Sequence, residues 1–174
     1  MTRNFFPMKR QRQRQEQAHP IPSLTDIDRI RSAIRPRIRD LLLFDLAVET
    51  GVTASKLLLL KVKDLAGLNV GEEISALALN GKQGRNESAT MGQMTHESFQ
   101  HYILETRPGS DDPLFKSRKG NNALSLTSAS RLVSSWFDQV GLKRMSGFLS
   151  LRKTWKMRHQ KSGKKRERNP PPRR

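Results

Sequence analysis

Residues 37–57 read RIRDLLLFDLAVETGVTASKL, and this stretch decides the fold. Ile38, Leu41, Leu42, Ala47 and Val48 recur at helical spacing, which predicts a helix from Arg37 to Thr50. Gly51 supplies its stop, because glycine enters the left-handed conformation of a helix end at no steric cost. A short helix is expected to follow over Ala54–Leu60. Upstream, Thr25 with Asp28 three residues on predicts the start of another helix. Its apolar face is Ile27, Ile30 and Ile34, and Pro36 interrupts it.

Past Asp64 the pattern changes. Ile74–Leu79 reads as a strand, Asn80–Arg85 with its two glycines as a turn, and Glu87–Met91 as a weaker returning strand, so a hairpin is predicted. A helix over Thr95–Glu105 carries Phe99, Tyr102 and Ile103 on one side. Pro108–Pro113 is a loop, Leu114-Phe115 a short buried anchor, and Lys116–Asn122 an exposed basic loop. Thr127 is the expected cap of a helix running to Val140 that buries Leu132, Val133, Trp136, Phe137 and Val140, with Gly141 as its stop. A last helix is expected over Phe148–Gln160. The fold class predicted is α+β, mostly α, with one small antiparallel hairpin or sheet. Three regions are expected: a basic flexible arm at 1–22, a domain at 23–160 and a disordered basic tail at 161–174.

Charge divides the chain in the same way. The net charge is +17, and residues 41–142 hold 10 basic against 11 acidic side chains, so the excess sits at the two ends. Two basic ends on a near-neutral domain predict a polyanion partner bound through phosphate contacts and counterion release. A spanning helix is excluded, because no run of about 18 apolar residues exists. The absence of cysteine excludes disulfide scaffolds, thiolate metal sites and cysteine nucleophiles. His96 and His101 are five apart and lack an acidic companion, so no metal and no cofactor are expected. The start, MTRNFFPMKR, has no signal-like apolar core, and a cytoplasmic, nucleoid-associated location is expected.

Several short words in this order resemble the catalytic domain of the tyrosine recombinases, the phage-integrase family. Arg39-Asp40-Leu41-Leu42-Leu43 leads into Glu49-Thr50-Gly51-Val52-Thr53-Ala54-Ser55-Lys56-Leu57, where the family writes a helix and then T-G-L-R-x-S-E-L. Asn80–Glu87 is similar to the family's G-K-x-x-K-x-R hairpin. Pro113–Arg118 resembles its L-F-P-S turn, and Val140-Gly141-Leu142 its A-G-L. Leu149-Ser150-Leu151-Arg152-Lys153-Thr154-Trp155 resembles its H-x-L-R-H-x-F. The resemblance spans about residues 24–160.

Family members cleave DNA by tyrosine attack on a backbone phosphate, with two arginines, a lysine and a histidine or tryptophan placed where charge develops. The resemblance implies remnants of that set at Lys82 and Arg152, and losses at Thr53 (first arginine), Leu149 (histidine) and Lys153 (second histidine). No tyrosine follows Arg152. The single tyrosine, Tyr102, is predicted to be a core aromatic, as are Trp136 and Trp155. The domain is thus expected to be degenerate and truncated at its C-terminal end, and to lack the family's N-terminal core-binding domain.

The expected function is duplex-DNA binding without strand cleavage, in the setting of DNA recombination or integration by a mobile element. Phosphate contacts are assigned to Lys82, Arg85, Arg118, Lys119, Arg152, Lys153, Lys156, Arg158, Lys164, Lys165 and Arg166. A full-length recombinase is the second partner the resemblance allows, and no membrane partner is expected. The alternatives are a partial recombinase completed in trans and an RNA-binding basic protein.

Overall fold

The structure is a computed structural model that describes residues 18–77, 89–118, 120–143, 145 and 147–168, with 160–168 described by backbone alone. Among the described residues the α-helices are α1 Leu24–Ile34, α2 Ile38–Thr50, α3 Ala54–Leu57, α4 Gln93–Thr106, α5 Leu126–Gln139 and α6 Gly147–Arg168. α2 is the hub, packed on α1, α4 and α6, with α5 closing against α1 and α6.

Eleven of the thirteen residues of α2 are buried. Two of its buried polar residues, Asp45 and Thr50, are hydrogen-bonded, since an unpaired buried group costs about 1–3 kcal/mol. Asp45 takes a forked pair from Arg31 of α1 (2.8 and 3.2 Å), and the Thr50 hydroxyl donates to the Leu46 carbonyl. Burial pushes the Asp45 carboxyl up to about 6, and the Arg31 hydrogen bond offsets only part of that rise. Across the core, Phe44 meets Trp136 of α5 edge to face at 6.2 Å. Tyr102 is buried in the same core, as the helical pattern predicted.

The helix starts differ from the expected ones. α1 is capped by Ser23, whose hydroxyl accepts from the Asp26 amide at 3.0 Å, and not by Thr25. α5 is capped by Ser125, which accepts from Ser128, and not by Thr127. In both, an earlier serine reaches the third amide of the helix, which a cap side chain must do. α6 continues to Arg168, eight residues past the expected Gln160. Lys161–Arg168 is rich in strong helix formers, and no proline intervenes before Pro170.

The predicted strand Ile74–Leu79 is not extended along the part described. Ser75–Leu77 forms a 3-10 turn, which places Ile74 and Leu77 three apart on one side, and both are fully buried. At its base the chain does pair antiparallel: Ile74 donates to Ala89 and Met91 to Glu72, each at 2.8 Å. The turn Asn80–Arg85 lies outside the described residues. Sheet structure among the described residues amounts to isolated bridges, Lys61 with Pro113, Glu73 with Thr90 and Lys116 with Ala123.

Residues 18–22 were expected to belong to a flexible arm. Ala18 and Ile21 are instead buried against α6. The Ile21 amide donates to the Thr154 hydroxyl, and the Lys153 ammonium to the Ala18 carbonyl, each at 2.8 Å.

Candidate nucleic-acid interface

The end of α2 is the point at which the separate sequence motifs meet. Gly51 takes φ +61°, and a Cβ there would overlap the indole of Trp155. The glycine is thus required twice, by backbone conformation and by the ring seated on it. The contact sets the loop that carries Thr53 against the face of α6 that carries Trp155. Arg152 precedes Trp155 by three residues, hence one turn earlier on the neighbouring surface. Thr53 is exposed at the N-cap position of α3 without a capping hydrogen bond from its side chain, and its hydroxyl lies 3.3 Å from that of Ser55. Arg152 and Lys156 are exposed, and Leu149 and Arg158 half-buried.

Trp155 is half-buried, not part of the closed core as expected. One face rests on Gly51, and the exposed His159 ring lies tilted over it at 4.4 Å, with Nδ1 3.0 Å from the Trp155 carbonyl. Glu49, just before the glycine, accepts from the amides of Met94 (3.1 Å) and Thr95 (2.8 Å) at the start of α4. A carboxylate there satisfies orphan donors and complements the positive end of the helix. Gly92 leaves room for it, since a Cβ at that position would overlap the carboxylate.

A second basic region forms around Asp40. This carboxylate is 1% exposed, and its Oδ1 accepts from Arg39 Nε (3.0 Å) and Nη2 (2.6 Å). The third nitrogen of Arg39, Nη1, donates to the Lys116 carbonyl at 2.6 Å, tying the 116–123 loop to α2. Oδ2 of Asp40 has no hydrogen-bond partner among the described residues, and it faces Arg118 Nη2 at 3.7 Å and Arg37 Nε at 4.0 Å. Three guanidiniums thus surround one buried charge, and Arg118 is the most exposed of them. A cavity of about 400 Å³ opens beside them, lined by Arg39, Arg118 and Arg131 and floored by Leu124 and Leu132.

Of the residues assigned to phosphate contact, the structure places Arg152, Lys156 and Arg158 on α6 and Arg118 on the tethered loop. Lys153 is turned onto Ala18. Lys82, Arg85 and Lys119 lie outside the described residues, as do the side chains of Lys164, Lys165 and Arg166. Arg39 and Arg131 were assigned no role. Arg131 was legible, because it shares one helical face with Ser128 and Ser135, three before and four after it. The role of Arg39 was not, since it depends on a carbonyl 77 residues away.

No protein-family model matches the sequence, and no curated protein matches it significantly. Among solved structures, the chain superposes on XerA recombinase with a TM-score of 0.65 at 18% identity, over 84% of this chain and 52% of that one. It is similar also to XerH site-specific recombinase bound to its difH substrate in a pre-cleavage complex, with a TM-score of 0.60 at 22% identity, over 84% of this chain and 44% of that one. The chain spans about half the length of each. The fold is therefore tyrosine-recombinase-like, mostly helical, over the greater part of the chain.

Proposed function

We propose that this chain binds duplex DNA through a recombinase-like domain and does not by itself cleave the strand. The observation that supports the reading is the contact of Gly51, two residues before Thr53, with Trp155, three residues after Arg152. Cleavage of the family type draws on guanidinium groups from both sides of such a contact, because forked donors stabilise a pentavalent phosphoryl group where a hydroxyl does not. Here one side offers Arg152 and the other a threonine. Tyr102 is 4% exposed and its helix packs on α2, which supports a core role for it rather than attack on a phosphate.

Exposed cations on α6 and on the 116–123 loop support the binding half of the reading. The likeness to a recombinase bound to its substrate agrees with it. Affinity is expected to fall by orders of magnitude over a fourfold rise in salt if about six or more phosphates are engaged. Fluorescence anisotropy with a labelled duplex tests this, and an affinity that stays flat with salt sinks it. A suicide substrate tests the other half: no covalent protein–DNA adduct is expected from the chain alone or from Thr53→Arg/Leu149→His. An adduct mapped to Tyr102 would overturn the proposal.

Completion in trans is the second reading, favoured by the exposure of Arg152 on α6. Cleavage of a nicked substrate only when a full-length recombinase is added would establish it.

A further inference from the structure

Ser128, Arg131, Leu132 and Ser135 recur three and four apart, so one face of α5 presents a guanidinium, two hydroxyls and a leucine together. That face meets the 116–123 loop and Arg39 of α2 around the cavity of about 400 Å³. Small-molecule sites run to about 300–1,000 Å³. The floor of this one is apolar, with Leu124 buried and Leu132 half-buried. Its charged lining is arginine, namely Arg39, Arg118 and Arg131, and no carboxylate stands among the described lining residues.

The three guanidiniums are unequally committed. Arg39 gives all three nitrogens to Asp40 and the Lys116 carbonyl, so it is a fixed wall. Arg118 keeps its Nη2 3.7 Å from Asp40 Oδ2, beyond hydrogen-bond distance, and its side chain is 67% exposed. Arg131 is exposed and has no ion-pair partner among the described residues. Asp40 offsets one of the three charges, which leaves two uncompensated. Lys116 is paired with Asp112 at 2.7 Å and adds none. Arg37 does not line the cavity, and its Nη2 donates to Gln139 at 2.8 Å. A matching ligand therefore carries about two negative charges, enough oxygens for two forked donors and a flat or apolar body for the leucines. A phosphate monoester supplies about −1.5 to −2 at pH 7 and three terminal oxygens. A carboxylate or a backbone phosphodiester offers one charge and two oxygens. A planar base also suits a site where guanidinium planes stand over aliphatic side chains.

We propose that this cavity binds a nucleotide bearing a terminal phosphate monoester. Arg118 and Arg131 take the phosphate, Arg39 is the fixed cationic wall, and the base lies on Leu124 and Leu132. A free nucleoside monophosphate and the 5′-phosphorylated end of a DNA strand share this chemistry. The inference goes beyond the DNA-binding reading and does not rest on it, since an internal backbone diester is the poorer match to the site.

The test is calorimetric titration of the full chain with thymidine 5′-monophosphate, its methyl ester, thymidine and inorganic phosphate. The monophosphate is expected to bind at one site, about 10-fold or more tighter than each of the other three. Arg131→Gln and Arg118→Gln are each expected to weaken it by about 10-fold. Both side chains are exposed, so the melting curves should not move, which separates loss of ligand from loss of fold. Failure of the monophosphate to bind would overturn the proposal. Equal affinity for the methyl ester would overturn the charge match, and binding untouched by both substitutions would assign the monophosphate to the chain's general positive charge and sink the site. Duplexes with 5′-phosphate and 5′-hydroxyl ends then separate the two sources once the monophosphate is bound. A preference of about 3-fold or more for the phosphorylated end, removed by Arg131→Gln, supports the site with a strand end as ligand. Equal duplex affinities support it with the free nucleotide as ligand. A closed dumbbell duplex, which has no ends, reports on the DNA-binding reading alone. Its failure to bind while the monophosphate binds would overturn that reading and leave the cavity standing.

Discussion

α2 and α6 cross the same core and share a contact at Gly51 and Trp155, yet they are built on opposite terms. α2 hides eleven of thirteen residues and spends its two buried aspartates on arginines that hold neighbouring elements. Over its described side chains α6 buries Ser150, Leu151 and Thr154 and turns Arg152 and Lys156 outward. The difference separates two kinds of sensitivity. Changes on α2 are read as loss of fold, because its surroundings are packed on every side. If the chain binds DNA as proposed, changes on the outward face of α6 are expected to lower DNA affinity at unchanged stability.

The strongest way to break this contrast is at Phe44. Phe44→Ala removes a fully buried ring from its edge contact with Trp136 and is expected to cost about 3–5 kcal/mol in denaturant unfolding. A loss under about 1 kcal/mol would mean that α2 is not the hub. Next comes the shared joint. Gly51→Ala meets both the left-handed backbone and the indole, for about 2–4 kcal/mol. Trp155→Ala in the same chain relieves the overlap, so the pair is expected to fall short of additivity by about 1 kcal/mol or more. Strict additivity would place the ring elsewhere.

A third prediction concerns the buried carboxylate of α2. The Asp45 carboxyl sits at about 6 in the folded protein against 3.8 as its ordinary value. Between those values the folded chain holds a proton that the unfolded chain has released. Stability therefore rises as pH falls from 7 towards 4, by at most about 3 kcal/mol over that whole span, and it is lost again as pH rises through 6. Thermal melts of wild type and Asp45→Asn should show the rise in the first and not in the second. The smallest effect is expected on α6. Lys156→Gln should leave the melting curve within about 0.5 kcal/mol of wild type and lower the salt slope of DNA binding by about 1. A stability loss as large as that of Gly51→Ala would erase the distinction between the two helices.

The order of helices could be read in the sequence because each carries a repeating apolar face and a punctuating glycine or proline. Ile27, Ile30 and Ile34 are buried as their spacing required, and Gly51 ends α2 as its type required. The cap residues misled because Ser23 and Ser125 stand two positions before equally plausible threonines, and only backbone geometry chooses between them. Ser75–Leu77 misled because a short apolar run is compatible with a strand, whereas two buried side chains three apart share one side in a 3-10 turn and not in a strand. The site was legible only as motifs. That Thr53 and Arg152 correspond to positions of one family site is what the resemblance implies. That Arg39 anchors the 116–123 loop, and that His19-Pro20-Ile21-Pro22 is held on α6 and not part of a loose arm, depends on partners 77 and 133 residues away. No local pattern encodes them.

The bond between Ile21 and Thr154 also has a bearing on time. It spans 133 residues, so the helix that completes the inner surface is made long after the segment that rests on it. At a synthesis rate of about 5–20 residues per second, the Ile21 amide waits on the order of ten seconds for its acceptor. During that interval α1 and α2 are already available with one apolar flank uncovered, the flank that α6 will take. Nascent chains arrested before Leu151 should therefore be cut by protease within α2, and chains long enough to free Thr154 from the ribosome should resist.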